Sequence, residues 1–331
     1  MSAITSTLLS ETPQLRPLNI LRDLPRVADL VETCFSDTMD AEGQRFIQQM
    51  RKAGQDNQFL RWATSAVEST SMPLSGYVWE ENGSLIGNVS LIPYRYQNKK
   101  IYLIANVAVH PDHRRRGIAR LLTSMAMDHA SKRKAEATWL HVRDDNPGAI
   151  KLYRDLGFSE RARRTHWQAS PDRNLPKDQV GFEINKRQGS HWVQQQAWLK
   201  NLYPQELTWY QPIPWTTFRP GLLSAIYRFF MEAETRTWVV TDREGLLASL
   251  SWLSLFGRNE LLWAAMPENG NVQALRALLL NARRVLSGRE SLTLDFPGDV
   301  ASEAILSAGF QARRTLIWMR FNGTTDQDVR I

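Results

Sequence analysis

The residues Val107-Ala108-Val109-His110-Pro111-Asp112-His113-Arg114-Arg115-Arg116-Gly117-Ile118-Ala119 read as a strand, a short turn and a helix beginning near Gly117. The first amides of a helix have no internal partner and carry partial positive charge, which makes them an anion site. Gly117 lets the backbone approach a phosphate closely, and Ala119 is small enough to allow the same. Arg114, Arg115 and Arg116 add formal charge beside those amides. The combination suits a pyrophosphate. Taken alone, it also suits a solvated basic turn capping a helix. A second segment follows one helix and one strand later: Asn146-Pro147-Gly148-Ala149-Ile150-Lys151-Leu152-Tyr153-Arg154-Asp155-Leu156-Gly157-Phe158.

These segments need a scaffold. Pro17 to Arg22 suits a strand, and Asp23 can cap the helix that follows, with Val27, Leu30, Val31 and Phe35 at helical spacing. A more polar helix is expected over Ala41 to Lys52. Strands follow around Ser75–Glu80 and Ser84–Tyr94, joined at Asn82-Gly83, a pair that tolerates positive φ and favours a tight hairpin. Lys100 to Val109 completes a meander. A helix over Ile118 to Ser131, a strand over Ala137 to Val142, a helix over Pro147 to Leu156 and a strand over Phe158 to Trp167 come next. Gly157 stands where a helix C-terminus wants a left-handed residue. The order describes a mixed α/β sandwich around one sheet. The polar stretch from Ser170 to Ser190, with Pro171, Pro176 and Gly181, reads as a late strand plus a linker.

The pattern then repeats. Leu156-Gly157-Phe158, Ala162-Arg163-Arg164-Thr165 and Trp167 are echoed by Ala308-Gly309-Phe310, Ala312-Arg313-Arg314-Thr315 and Trp318. Val107 to Pro111 matches Trp263-Ala264-Ala265-Met266-Pro267, and each match precedes an amphipathic helix. Several echoes in order at near-constant separation argue for duplication. The copies are unequal, because the turn Glu268-Asn269-Gly270-Asn271-Val272-Gln273 carries no basic residue. Phosphate chemistry is therefore expected in the N-terminal half.

Both motif segments, in order and separated by one helix and one strand, resemble the GNAT superfamily of N-acetyltransferases. Its central motif, Arg/Gln-x-x-Gly-x-Gly/Ala, is matched by Arg114 to Ala119, and its later motif is matched from Asn146 to Phe158. The resemblance spans about Pro17 to Trp167; the second half is similar only weakly. It implies that Val107, Ala108 and Val109 pair their backbone with a pantetheine arm. It also implies that amides and side chains from Arg114 through Arg115, Arg116, Gly117, Ile118 and Ala119 to Arg120 hold a pyrophosphate, and that Asn146 contacts acetyl-CoA near the arm. Tyr153 is implied as the acid that protonates the leaving CoA sulfur, a role open to a positioned phenol. Ile305 takes the equivalent place in the second copy. The base is not legible. Where relatives that act on protein N-termini carry a glutamate in the central strand, this chain has Ile101. Glu80, Glu81, His110 and Asp144 are the other candidates.

The 331 residues favour two domains, and 43% apolar with 23% charged residues suits globular cores. The expected division is a tail over 1–12, an acetyl-CoA-binding domain over 13–187 and a degenerate GNAT-like domain over 188–331. A single cysteine, Cys34, excludes an internal disulfide framework, and its setting reads as a buried helix face. No apolar run approaches the roughly 18 residues of a membrane span, and no secretory leader is apparent, so a cytoplasmic protein without membrane contact is expected. The net charge of +7 allows anionic partners, but the basic residues are not interleaved with aromatics as a nucleic-acid surface requires. No metal-ligand spacing appears. The aromatic residues from Trp192 to Phe230 either line an acceptor pocket or pack the second core. The function expected is direct transfer of an acetyl group to a small-molecule or peptide amine through a tetrahedral intermediate, by a monomer or homodimer. The alternatives are a non-catalytic acyl-CoA-binding sensor or scaffold, and an enzyme using another acyl donor such as succinyl-CoA.

Overall fold

The computed structural model describes residues 14–39, 41–56, 58–59, 73–175, 181–255 and 259–321, so the tail expected over 1–12 lies outside the described residues. The chain forms two compact units. Among the described residues, the first comprises those up to Val142, Asn146–Arg161 and those of Trp318–Phe321; the second comprises Arg143–Asp145 and those between Ala162 and Ile317.

In the first unit, β1 (Gln14–Pro17) leads into α1 (Ile20–Phe35) and α2 (Ala41–Ala53). The strands β2 (Ser75–Glu81), β3 (Ser84–Tyr96) and β4 (Lys99–Val109) follow, then α3 (Ile118–Lys132), β5 (Ala137–Arg143) and α4 (Pro147–Asp155). Strands β1 to β4 pair antiparallel in chain order, and β5 adds parallel to β4. The mixed sheet flanked by helices is the one the sequence describes. The hairpin between β2 and β3 turns on Asn82 and Gly83, with φ of 49° and 75°. The first helix starts earlier than expected. Asn19 caps it by accepting from the Leu21 amide at 3.1 Å, while Asp23 accepts from the Asn19 amide at 2.9 Å. Asp23 thus lies inside the helix, one turn beyond the cap, where its carboxylate can answer both that amide and Arg16.

The interior of this unit is mostly apolar. Leu24, Val27, Ala28, Leu30 and Val31 of α1 pack with Ile47 and Met50 of α2 and Val78 of β2. One charged cluster interrupts it. Asp23 and Glu80 are buried at 0% and 7% exposure and face Arg16, Arg22 and Arg26. Arg16 donates to Asp23 at 2.6 and 2.9 Å and to Glu80 at 2.9 Å. Burial by itself raises the Glu80 carboxyl, but hydrogen bonds from Arg16 and Arg26 and the nearby arginine charges outweigh it and hold the group below the usual carboxylate range.

The second unit repeats the plan. Its elements are β7 (Ile184–Lys186), α5 (Trp192–Leu202), α6 (Trp215–Phe218), α7 (Leu222–Phe230), β8 (Ala233–Thr241), β9 (Leu246–Leu255), β10 (Asn259–Ala265), α8 (Val272–Val285), β11 (Leu292–Pro297) and α9 (Ser302–Ser307). Strands β7 to β10 pair antiparallel in chain order and β11 adds parallel to β10, the same scheme as β1 to β5. The duplication reaches the hydrogen bonds. Tyr153 O accepts from Phe158 N at 3.0 Å and Ile305 O from Phe310 N at 3.3 Å, around left-handed Gly157 and Gly309. Of the aromatic run, Trp198, Tyr203, Trp209 and Phe218 are buried, with Trp198, Tyr203 and Phe218 in the second core, whereas Tyr227, Phe229 and Phe230 are exposed.

The division differs from a single boundary at 187. Strand β7 belongs to the second unit's sheet, as its pairing with β8 shows. Residues of β6 (Ser159–Ala169) from Ala162 on also lie in the second unit, antiparallel to β11. The end of β12 (Gln311–Phe321), from Trp318, lies in the first. There Trp318 packs on His141, Arg320 sits over Trp139 at 5.8 Å, and Phe321 meets Phe158. The last strands of the two copies carry nearly the same residues, so sequence alone does not say which sheet each one joins.

Replacing Glu80 with Gln leaves Asp23 alone to answer three arginines, and the expected loss is about 3 kcal/mol of unfolding free energy at neutral pH. Because the folded carboxyl lies below its unfolded value of about 4.3, its contribution is present above that pH and is lost as pH falls through the folded value. Urea titrations across this range should therefore show a flatter acid limb for Glu80→Gln; parallel curves would remove the cluster from the acid response.

Candidate functional site

The site begins with an irregularity in β4. Ala108 pairs with Asn88 and Ala105 with Ser90, so Asn106 and Val107 stand opposite the single residue Val89. This bulge places Asn106 at a φ of 51°. Asn88 Nδ2 donates to Asn106 O at 2.9 Å, and Asn106 Nδ2 donates to Ser90 Oγ at 3.3 Å. Asn88 and Ser90 are buried, so these bonds fix the irregularity from inside the sheet. On its other edge, β4 pairs with β5 from Ile101 opposite Ala137 to Ile104 opposite Leu140, and there the pairing ends. The strand runs on through Val107 to Val109; Ala108 and Val109 stay paired with Asn88 and Gly87 of β3, and among the described residues none of the three pairs with β5. Ala108 is buried, while Val107 and Val109 are half-buried.

The strand then enters the basic turn. Arg115 and Gly117 have φ of 66° and 78°, and Gly117 is the cap of α3. No side chain caps this helix and its first turn holds no acid, so the opening amides face no protein carboxylate of their own helix. A Cβ added at Gly117 would meet nothing within 4 Å. Ile118 is buried at 2% exposure and anchors the helix, whereas Ala119 is half-buried.

The arginines divide by partner. Arg114 Nε donates to Val109 O at 3.2 Å, and Cys34 Sγ donates to the same carbonyl at 3.3 Å. Burial pushes the Cys34 thiol up, which disfavours a reactive thiolate. Arg116 donates to Glu81 at 2.8 and 3.1 Å and to His113 Nδ1 at 2.8 Å. Arg115 is exposed on its left-handed residue. Arg120 donates to Asp155 at 3.1 Å, tying the first turn of α3 to the end of α4.

Asn146 is the N-cap of α4, and its Oδ1 accepts from the Ala149 amide at 3.1 Å. Tyr153 lies on the buried side of that helix at 7% exposure, edge-on to Phe158 with ring centroids 6.2 Å apart. Burial pushes its phenol above the ordinary range, so it keeps its proton at neutral pH. Of the candidate bases, Glu80 is locked by arginines. The Glu81 carboxyl is held low by hydrogen bonds from Arg116 and Trp79. Asp144 lies in the second unit. His110 Nδ1 stands 3.7 Å from Asp112.

The corresponding place in the second unit is built differently. Strands β9 and β10 pair without a register shift from Asn259 to Ala265. Asn271 caps α8 with its side chain, accepting from the Gln273 and Ala274 amides at 3.0 and 3.2 Å. Ile305 stands fully buried at the position matching Tyr153. The bulge and its tethers, Asn88, Ser90 and Asn106, escape the sequence reading; an asparagine, the residue type most tolerant of positive φ after glycine, inside an apolar strand is the signal that could have found them.

The strand that parts from its parallel neighbour and the uncapped helix after an arginine turn lie within a stretch that matches a known family. Residues 32–158 match the model described as "Acetyltransferase (GNAT) family". The [Ribosomal protein bS18]-alanine N-acetyltransferase of Escherichia coli (strain K12) is 40% identical over 67 residues, 20% of this chain and 45% of that protein. The streptothricin acetyltransferase of Streptomyces lavendulae is 37% identical over 78 residues, covering 24% of this chain and 40% of its own. This chain thus spans less than half the length of the curated relatives it matches. A GCN5-related N-acetyltransferase from Sphaerobacter thermophilus superposes with a TM-score of 0.53 at 14% identity, covering 93% of this chain and 95% of that one. That likeness concerns the fold. Among the described residues no helix is long and apolar enough to cross a membrane, and no group of three or more His, Cys, Asp or Glu side chains could hold a metal ion.

The backbone at Asn106 yields a test. A β-branched residue strains at positive φ, so Asn106→Val should cost about 1–2 kcal/mol more than Asn106→Gly in urea unfolding. Equal losses would mean that the side-chain bonds, and not the backbone conformation, hold the bulge.

Proposed function

We propose that the chain is an acetyl-CoA-dependent N-acetyltransferase whose chemistry resides in the first unit and whose acceptor is a primary amine. The observation that carries this is the uncapped start of α3 at left-handed, open Gly117, placed directly after a strand whose outer edge is free of β5. The amides from Arg115 to Arg120 with the Arg114, Arg115 and Arg116 side chains fit a pyrophosphate, and the edge of Val107, Ala108 and Val109 fits the amide groups of a pantetheine arm. Asn146 has its Oδ1 engaged at the helix cap, which leaves its Nδ2 amide to meet the arm.

The thioester supplies an activated acyl carbon. A neutral amine attacks that carbon and the C–N bond forms; the C–S bond breaks, the thiolate takes a proton from a nearby acid, and the proton shed by the nitrogen passes through solvent to restore that acid, leaving the amide and the free CoA thiol. Tyr153 is assigned as the donor, and its burial supports the protonated form this needs. An amide of the bulged segment near Val107 is assigned to the developing oxyanion. The second unit is assigned no transfer chemistry, since Ile305 cannot donate a proton and Asn271 already occupies the amides of α8. The relatives are named for acceptors as different as a ribosomal protein alanine and streptothricin. A small-molecule or peptide amine is therefore the acceptor class.

A second reading is a non-catalytic acyl-CoA-binding module. It is favoured by the state of Glu80 and Glu81, both held below the usual carboxylate range and so poorly suited to take a proton from an ammonium. Acetylation of an amine over many turnovers would eliminate it.

Two substitutions separate binding from chemistry. Gly117→Glu puts a carboxylate at the anion site and should abolish acetyl-CoA binding in calorimetry; undiminished binding would place the cofactor elsewhere. Tyr153→Phe should lower kcat by about 10²-fold with acetyl-CoA affinity nearly intact, and equal turnover would remove Tyr153 from the mechanism.

A further inference from the structure

The second unit holds a cavity of about 480 Å³, within the size range of small-molecule sites. Four cations line it: Lys186 at the end of β7, Arg187 immediately after, Arg228 of α7 and Arg236 of β8. Among the described residues none of the four forms an ion pair with a carboxylate. The arginines of this unit that do are others, such as Arg164 with Asp295 and Arg289 with Glu234.

Their hydrogen bonds go to neutral acceptors. Arg187 Nη1 donates to Gln195 Oε1 at 2.9 Å and to Phe218 O at 2.7 Å, and its buried Nε has no partner. Arg228 Nη1 donates to Thr217 O at 2.9 Å. Burial, and secondarily the Arg228 charge, push Arg187 below its ordinary value. The fold therefore holds a half-buried guanidinium beside a second cation without neutralising either, an arrangement that costs free energy until an anion arrives.

The corresponding corner of the first unit shows what neutralisation looks like. Arg16 on β1 stands across from Val78 of β2 as Lys186 on β7 stands across from Trp238 of β8. There Arg16, Arg22 and Arg26 close on Asp23 and Glu80. One copy of the corner carries its own carboxylates; the other carries the cations and a cavity, with Phe218 and Trp238 on its walls.

We propose that this cavity binds a small organic anion, its carboxylate or phosphate group held by Arg187 and Arg228 and its body set against Phe218 and Trp238. Guanidinium forks suit either oxyanion through paired hydrogen bonds. The site is independent of the acetyl-CoA turn of the first unit.

The test uses the full chain at constant ionic strength, with inorganic phosphate and succinate as probes, read by thermal unfolding and calorimetry. At least one probe should raise Tm, and the stronger of the two identifies the headgroup. Binding should weaken by about tenfold or more in Arg187→Gln and in Arg228→Gln, and should persist in Gly117→Glu, where the first unit's anion turn is blocked. Arg187 is hydrogen-bonded into its surroundings through Gln195 and Phe218, so Arg228→Gln remains informative if Arg187→Gln folds poorly. No rise in Tm with either probe at millimolar concentration, undiminished binding in Arg228→Gln, or loss of binding in Gly117→Glu would each overturn the proposal.

Discussion

The rest of the site depends on β4 parting from β5. A parallel pair normally continues while both strands last, because each leaves the other's backbone groups satisfied. Here the pairing stops at Ile104 and Leu140 although β4 runs on to Val109. The bulge at Asn106 and Val107 gives the physical cause. An extra residue bends its strand and increases the local twist, which carries the end of β4 off the plane it shared with β5. Buried Asn88 holds the Asn106 carbonyl and so makes the bend a fixed feature. What results is a strand edge able to pair with something other than protein, leading straight into the helix whose amides start at Gly117.

The second copy shows that the fold does not require these features. Its β10 keeps regular pairing with β9, its α8 is capped by Asn271, and its α9 buries Ile305. Both copies nevertheless keep the strand scheme and the left-handed glycine that ends the helix before the last strand. Features common to both therefore serve folding, while the bulge, the uncapped basic turn and Tyr153 occur in the first alone. A non-glycine residue at positive φ inside a strand and a helix start left without a side-chain cap each cost stability.

How far the sequence was legible follows from the range of each interaction. The turn Arg114–Ala119 and the segment Asn146–Phe158 are contiguous, so the sequence alone states where each helix starts. Gly157 and Gly309 were readable for the same reason. The bulge was not, because it is a relation between Asn106 and residues some sixteen positions earlier in β3, and register is invisible in one strand taken alone. The bond between Arg120 and Asp155 is likewise non-local. Strand β7, with three residues, is too short to display a period, so the late strand expected between Ser170 and Ser190 has no bounds in the sequence. The base candidates named from position turned out to be occupied, Glu80 by arginines and Glu81 by Arg116, because a carboxylate in a basic neighbourhood is neutralised by what surrounds it.

The least legible feature also constrains how the protein is organised. The first unit ends with residues from Trp318 onward, and the glycine that terminates the Tyr153 helix lies against them: a Cβ on Gly157 would come within 3.2 Å of Phe321. Phe158, next in sequence, shares that aromatic neighbour and also packs edge-on against Tyr153. An aromatic wall beside Tyr153, made of Phe158 backed by Phe321, is therefore completed by a residue of β12. A cut at residue 187 would leave the motif segments intact and still strip Phe321 from this wall, Trp318 from His141 and Arg320 from Trp139. Residues of the second copy's last strand thus help to build the first unit.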